Sequence, residues 1–103
     1  MATTRVEISE YAVSPDHYIG GKRVDSPETF EVRSPLDWDW KLADIAQGDP
    51  LTSDQAVSAA VAAFPGWAAL APKERGEHLH RLADLIDQNI EAIAQVECVD
   101  MAM

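Results

Sequence analysis

The sequence predicts an α+β fragment in which N-terminal β-hairpins are followed by two or three α-helices. Short, glycine-punctuated segments of alternating polarity fill the first half, and apolar residues at helical spacing fill the second half. The helical pattern runs on to Met103 without Gly or Asn beyond it and without a basic last turn. We therefore expect the chain to be part of a larger unit.

A glycine pair marks the first predicted hairpin. Tyr18-Ile19 and Lys22-Arg23-Val24 flank Gly20-Gly21, and adjacent glycines tolerate the positive φ angles of a type I′ turn. Residues 17–103 are assigned to one incomplete domain, and residues 1–16, in which no strand is predicted, to a flexible N-terminal arm.

A second strand pair is predicted from alternation. Thr29 to Val32 and Lys41 to Ala46 alternate apolar and polar residues, with Pro35 to Trp40 as their connection. The Gly and Pro residues of Gln47 to Pro50 then end the β pattern.

The first helix is predicted to open at Thr52, which forms a T-x-x-Q capping box with Gln55. Pro65-Gly66 is expected to end or kink it. Its apolar face consists of Val57, Ala60, Val61 and Phe64.

The second helix is predicted to start with Pro72 at its first position. A one-faced helix needs a surface to cover it, and two small hairpins supply little. We therefore expect its aliphatic stripe to stay less buried than a normal core, and Trp67 to pack where the two helices meet. The stripe consists of Leu79, Leu82, Ile86, Ile90 and Ile93.

Composition limits the function classes. With 18 acidic and 8 basic residues, the net charge of −10 argues against nucleic acid and anionic membranes as partners. The N-terminus lacks the apolar run of a signal peptide, and no stretch has the length of a membrane span. Together with the single cysteine, Cys98, these features predict a cytoplasmic protein.

The residues alone predict no catalytic, cofactor-binding or metal site. Cys98 lies between acidic neighbours, so it is interpreted as a packed thiol rather than a nucleophile. His78 and His80 point apart on a helix, so they cannot share a metal ion. Asp37 and Asp39 could belong to a sugar-binding site, but they are equally well explained as turn-forming residues. His17 has no evident partner. Gly20-Gly21 lacks the third glycine and the following helix of a dinucleotide fingerprint.

Several segments, taken in order, resemble the opening of the aldehyde dehydrogenase superfamily. They cover about residues 17 to 103 and match the family in order and spacing. These segments are Tyr18-Ile19-Gly20-Gly21-Lys22, Phe30 to Pro35, Leu42-Ala43-Asp44-Ile45, the alanine-rich Asp54 to Ala63, Phe64-Pro65-Gly66-Trp67, Lys73-Glu74-Arg75, and Leu85 to the Glu97-x-x-Asp100 signature.

The resemblance implies the leading part of an α/β nucleotide-binding domain. Its parent would be a homo-oligomeric NAD- or NADP-dependent enzyme that oxidises an aldehyde or semialdehyde to the acid, and the family's catalytic and cofactor-binding residues would lie outside this chain. Cys98 does not match the catalytic cysteine, so the chain is expected to be inactive alone. The alternative is a small acidic, non-catalytic interaction module that uses its exposed apolar helix faces.

The resemblance also implies one weak site and two departures. Some relatives bind a monovalent cation with backbone carbonyls matching Val32 and Arg33 and a carboxylate matching Asp100. A hydrogen bond of Asp100 near a helix end is the better explanation of that residue. Many relatives have Pro-x-Thr-Gly where this chain has Pro35 to Trp38, and Gly where it has Ala102.

Overall fold

Three antiparallel hairpins are followed by three helices in the computed structural model, which describes residues 2–102. This architecture confirms the predicted fold class. The strands are β1 (Val6–Ile8), β2 (Tyr11–Val13), β3 (His17–Ile19), β4 (Lys22–Val24), β5 (Thr29–Ser34) and β6 (Asp37–Ala46), and the helices are α1 (Pro50–Ala69), α2 (Pro72–Gln88) and α3 (Ile90–Met101).

The glycine turn of the β3–β4 hairpin is confirmed. Gly20 and Gly21 have φ angles of 59° and 78°, which are the two positive values that a type I′ turn requires. The turn sets the register in which Ile19 lies opposite Lys22 and His17 opposite Val24.

The segment assigned to an N-terminal arm contains the β1–β2 hairpin, which the sequence reasoning missed. Its turn places Ser9 and Glu10 at φ 50° and 72° without glycine, so it lacks the usual hairpin signal. Ile8 is buried in the core, and the Thr3 amide donates to Asp16 Oδ2 at 2.6 Å. The flexibility of residues 1–16 stays a prediction.

The predicted connection of the second pair was wrong. β5 and β6 are joined by Pro35 and Leu36 alone, and β6 already begins at Asp37. Aromatic residues alternating with short acids fit a strand as well as a turn. Strand β6 is longer than β5, and its extra residues cause shifts in register. Arg33 lies opposite Lys41, whereas the next residue, Ser34, lies opposite Asp37.

Helix α1 begins two residues before the predicted start. Asp49 is its N-cap, and Asp49 Oδ1 accepts from the Thr52 amide at 2.7 Å and from Thr52 Oγ1 at 2.8 Å. Thr52 is therefore capped rather than capping, and Pro50 lies at the first position, where a missing N–H costs nothing. The helix also continues past Pro65 to Ala69, because the fixed φ of proline fits a helix even though one hydrogen bond is lost.

Helix α2 begins at Pro72 as predicted, and the Glu74 carboxylate accepts from the Ala71 amide at 2.9 Å. The apolar stripe is interrupted at Asn89, whose φ of −114° and ψ of 15° separate α2 from α3. The side-chain amide of Asn89 donates to the Leu85 carbonyl at 2.8 Å. Helix α3 closes on Ala102 in the left-handed region, a cap that the sequence reasoning did not expect.

The core lies between the hairpins and α3. Its apolar members are few, and Ser34 is fully buried beside them, with its hydroxyl donating to the Val99 carbonyl at 2.5 Å. That bond joins β5 to α3 across most of the chain. The buried apolar residues are Ile8, Leu42, Ala43, Ala46 and Val99.

The prediction of an uncovered helix stripe is confirmed. No residue of α1 or α2 is buried, and all five aliphatic stripe residues are exposed, from 45% for Ile86 to 60% for Leu79. Core aliphatics are normally almost fully buried. The stripe is therefore covered only in part by the other elements within residues 2–102.

Trp67 lies at the junction of α1 and α2, as predicted. Its ring centroid is 5.7 Å from that of His78 on α2, and the rings are tilted by 54°. Arg75 strengthens the same junction, because its guanidinium donates to the Leu70 carbonyl at the end of α1 at 2.5 Å. A cation at a helix C-terminus also meets the negative end of the dipole.

Candidate functional site

Cys98 is the only thiol of the chain, and its interpretation as a packed thiol was wrong. The side chain is exposed on α3, because the buried residue of that turn is its neighbour Val99. No hydrogen bond joins its sulfur to a histidine, lysine or arginine in the described part of the chain. Thiolate chemistry needs such a group nearby, so the surroundings of Cys98 offer no activation.

The three histidines are not brought together. His78 and His80 are both exposed on α2, and His17 lies at the start of β3, where its Nε2 atom is buried without a hydrogen-bond partner. Within residues 2–102, no three His, Cys, Asp or Glu side chains are grouped so that they could hold a metal ion.

Asp37 and Asp39 lie in strand β6 and not in the turn that one interpretation gave them. The Asp39 amide donates to Asp37 Oδ1 at 2.9 Å, a local side-chain-to-backbone bond at the irregular start of β6. Both carboxylates lie on the exposed first residues of β6.

The described residues do not fit the pyrophosphate of a nicotinamide cofactor. Gly20-Gly21 leads into strand β4 rather than into a helix. A dinucleotide site needs free backbone N–H groups at a helix N-terminus. The N-cap of α1 is already a carboxylate, Asp49, and the first turns of α2 and α3 carry Glu74 and Glu91. Each of these acids would repel a phosphate.

Asp49 shows how firmly the α1 terminus is occupied. The backbone and side-chain hydrogen bonds from Thr52 hold the pKa of the Asp49 carboxyl below its ordinary value. The carboxylate remains charged at neutral pH and fills the position that an anionic ligand would take.

Two of the three residues of the cation hypothesis lie at one cavity. Val32 and Asp100 line one apolar cavity of about 250 Å³ between β5, β6 and α3. The Arg33 side chain donates to the Trp38 carbonyl at 3.0 Å and to Glu31 Oε1 at 2.6 Å, which leaves the role of its backbone carbonyl untested. A cation at these positions stays a prediction.

A second, larger groove was not predicted from the sequence. It has a volume of about 600 Å³, lies between β2 and α3, and is open to solvent. Sequence reasoning missed it because one wall is the unexpected β1–β2 hairpin. The groove is mostly apolar, and its lining includes Tyr11, Val13, Ile93, Val96, Glu97 and Asp100.

None of the helices described between residues 2 and 102 is long and apolar enough to cross a membrane.

Comparison with known proteins agrees with the resemblance seen in the sequence. The profile of the aldehyde dehydrogenase family matches residues 23–103. The chain is 42% identical over 88 residues to 5-carboxymethyl-2-hydroxymuconate semialdehyde dehydrogenase of Escherichia coli, covering 85% of this chain and 19% of that protein. It is 53% identical over 85 residues to 2-aminomuconic semialdehyde dehydrogenase of Bos taurus, covering 82% of this chain and 17% of that protein.

A third relative is vanillin dehydrogenase of Pseudomonas sp. (strain HR199 / DSM 7063), 48% identical over 71 residues, or 67% of this chain and 15% of that protein. The chain thus spans less than a fifth of the length of these relatives. No solved structure gives a significant match. Since the family profile covers most of its length, the chain belongs to the aldehyde dehydrogenase family.

Proposed function

We propose that these 103 residues build the leading part of the nucleotide-binding domain of an NAD- or NADP-dependent aldehyde dehydrogenase and do not catalyse by themselves. Family membership supports the parent class, and relatives named as semialdehyde dehydrogenases favour an aldehyde or semialdehyde substrate. In this proposal the parent is cytoplasmic and homo-oligomeric. The chain contributes a scaffold to that enzyme.

The observation that carries the proposal is the uncovered stripe of α2 and α3. A helix with a continuous aliphatic face is stable when that face is covered. Leu82 and Ile86 are 53% and 45% exposed here, so the face is available to a surface outside the described residues. In this proposal the rest of the parent's nucleotide-binding domain supplies that surface.

The chemistry of the described residues agrees with a scaffold role. Cys98 has no activating neighbour, and all three helix N-termini carry acids that oppose pyrophosphate binding. The cofactor and the reacting groups would be held by other parts of an intact enzyme.

An activity assay tests whether the chain is inactive alone. The purified 103-residue chain, mixed with NAD or NADP and a panel of aldehydes and semialdehydes, should produce no reduced nicotinamide. The matched control is Cys98→Ser, which should behave identically. Steady cofactor reduction that disappears in Cys98→Ser would contradict the proposal.

A chimera tests the scaffold role directly. The matching 88-residue segment of the Escherichia coli relative is replaced by that of this chain. The chimera should fold and retain dehydrogenase activity, because the stripe then meets its covering surface. Leu82→Asp in the chimera should abolish soluble, active enzyme, whereas Asp84→Asn, an exposed change on the same helix, should not. Activity that survives Leu82→Asp would show that the stripe is not covered.

The alternative, a non-catalytic interaction module, is favoured by the same exposed helix faces. The two proposals differ in what the isolated chain does. A module folds cooperatively on its own, whereas a scaffold segment lacking its cover is marginal and loosely packed.

A further inference from the structure

The groove between β2 and α3 adjoins the core of the hairpin region. The groove has a volume of about 600 Å³, and the smaller cavity of about 250 Å³ shares three of its lining residues, Val13, Val96 and Asp100. The smaller cavity also borders Ile8 and Leu42, which belong to the buried core. The two spaces therefore lie side by side and form one largely apolar binding surface.

The charge in the groove is negative and unbalanced. Glu97 and Asp100 are the charged residues among those that line it, and no lysine, arginine or histidine of residues 2–102 does so. The two acids lie one turn apart on α3, so they are neighbours on one side of the helix. Neither carboxylate takes part in a hydrogen bond or an ion pair within the described part of the chain.

The other lining residues suit the remaining parts of a basic side chain. Tyr11 of β2 supplies an aromatic ring, and Val13 and Ile93 supply apolar walls. Aromatic rings attract the cations of lysine and arginine, and the aliphatic stems of these side chains pack along apolar surface. The lining therefore complements a lysine or arginine side chain in both shape of charge and hydrophobicity.

Ile93 connects the groove with the exposed aliphatic stripe of α2 and α3. It belongs to both, and it is 46% exposed. The proposed function assigns the cover of the stripe to the rest of the parent's nucleotide-binding domain. This chain spans only 19% of the Escherichia coli relative, so most of such a parent lies outside it. A surface that covers the stripe at Ile93 reaches the groove directly beside it.

We propose that a lysine or arginine from the rest of the parent's nucleotide-binding domain enters this groove and places its charge beside Glu97 and Asp100. Its aliphatic stem lies along Val13 and Val96. The inference rests on the proposed function and adds the residue type that docks and the place where it docks. Because the docked segment shields the charges from water, this pair holds α3 more firmly than an exposed ion pair does.

A chimera that carries all 103 residues in place of the matching part of the Escherichia coli relative tests the charge of the occupant. Hydrogen exchange of the α3 amides is measured in the chimera and in the isolated chain. In the chimera, the double variant Glu97→Gln/Asp100→Asn should reduce this protection by about tenfold or more, because the cation loses both partners. In the isolated chain, which has no basic residue in the groove, the double variant should leave the protection unchanged. Asp84→Asn on α2 is the matched control and should have no effect in either protein.

Filling the groove gives a test that does not depend on charge. Ala92 lines the groove, so Ala92→Trp should exclude the docked segment. The chimera should then lose α3 protection and activity, whereas the isolated chain should keep its far-UV spectrum. Ala92→Ser leaves the groove open and should leave both proteins unchanged.

Photo-cross-linking identifies the occupant. Tyr11 of the chimera is replaced by p-benzoyl-phenylalanine, and the cross-linked peptide is identified by mass spectrometry. We expect a peptide of the same polypeptide, from outside the 103 residues, that contains a lysine or an arginine. Substitution of that residue by glutamine should reproduce the loss of α3 protection seen in the double variant.

Three results with a soluble, active chimera would overturn the proposal. They are α3 protection that is unchanged in the double variant, a cross-linked peptide without a basic residue, and a cross-link to another subunit. An insoluble, inactive chimera would instead contradict the proposed function, and this inference would fall with it.

Discussion

Leu42 and Leu82 are the same side chain on two amphipathic elements, yet Leu42 is 8% exposed and Leu82 is 53% exposed. Leu42 lies on β6, against which β5 and the end of α3 pack. Leu82 lies on α2, which contacts α3 and the end of α1 but has no buried residue. The comparison teaches that an amphipathic pattern creates a need for cover, whereas burial depends on whether the fold supplies it.

The two regions also differ in how distant segments are tied together. The hairpin region contains a buried hydrogen bond between Ser34 and Val99. Helices α1 and α2 meet at one junction, where Trp67 contacts His78 and Arg75 binds the Leu70 carbonyl, and their contacts with β3 and α3 bury none of their residues. Stability should therefore be concentrated in the hairpins and α3, and low in α1 and α2.

The largest expected effect is the difference in stability loss between substitutions of Leu42 and Leu82. Leu42→Ala should lower the opening free energy of the β5–β6 hairpin by about 2–3 kcal/mol, because it removes a buried side chain from a small core. Leu82→Ala should change the stability of the isolated chain by less than about 0.5 kcal/mol, because that side chain is already exposed. Hydrogen exchange of the β6 amides measures both variants. Equal losses would remove the distinction between the regions.

The next effect concerns the tie between β5 and α3. Ser34→Ala should cost about 1–2 kcal/mol, since it leaves the buried Val99 carbonyl without its donor. Ser58→Ala, on the exposed surface of α1, is the matched control and should be neutral within about 0.5 kcal/mol. Loss of amide protection at the end of α3 in Ser34→Ala alone is the expected result. If both variants behave alike, the bond does not hold α3 in place.

A smaller effect is expected at the end of α3. Ala102 has a φ of 62°, a conformation that costs an L-residue about 1 kcal/mol and costs glycine nothing. Ala102→Gly should therefore stabilise the C-terminal end of α3, by up to about 1 kcal/mol. Ala94→Gly inside the same helix should destabilise α3 by about 1 kcal/mol. Residue-resolved chemical shifts report both changes, and the same sign in both variants would contradict the left-handed cap.

The smallest effect is a pH dependence of α1. The hydrogen bonds from Thr52 lower the pKa of Asp49 below its ordinary value, so the cap is fully present above about pH 4 and is lost as the pH falls through the lowered pKa. The first turn of α1 should fray in acid. Far-UV circular dichroism between neutral pH and about pH 2 measures this.

Asp49→Asn provides the matched variant for the cap. Asparagine caps a helix as well as aspartate but does not titrate. The loss of helical signal caused by protonation of Asp49 should therefore be absent in this variant. An acid transition that is identical in Asp49→Asn would show that other carboxylates cause it.

Much of the fold was predictable where the chain carries a local signal. The Gly20-Gly21 turn, the start of α2 at Pro72 and the position of Trp67 each follow from one or two residues. The start of α1 was missed because Gly48-Asp49-Pro50 was interpreted only as the end of the β region. An Asp followed by Pro is also typical of a helix start, with Asp as the N-cap and Pro at the first helical position.

The other errors arise from tertiary contacts. The β1–β2 hairpin has no glycine in its turn, and its burial depends on Ile8 meeting residues that are distant in sequence. The exposure of Cys98 depends on which side of α3 faces the hairpins, which periodicity alone did not settle. The groove between β2 and α3 was missed because one of its walls is that same hairpin.

Residue-resolved hydrogen exchange of the full 103-residue chain tests the central claim most directly. If α1 and α2 lack their cover, the amides of β5, β6 and α3 should be the best protected, and those of α1 and α2 should exchange through opening reactions of much lower free energy. Uniform protection of α1, α2 and the hairpins, lost in one cooperative transition, would contradict the claim. The helical region would then be self-sufficient, and the interaction module would be the better account.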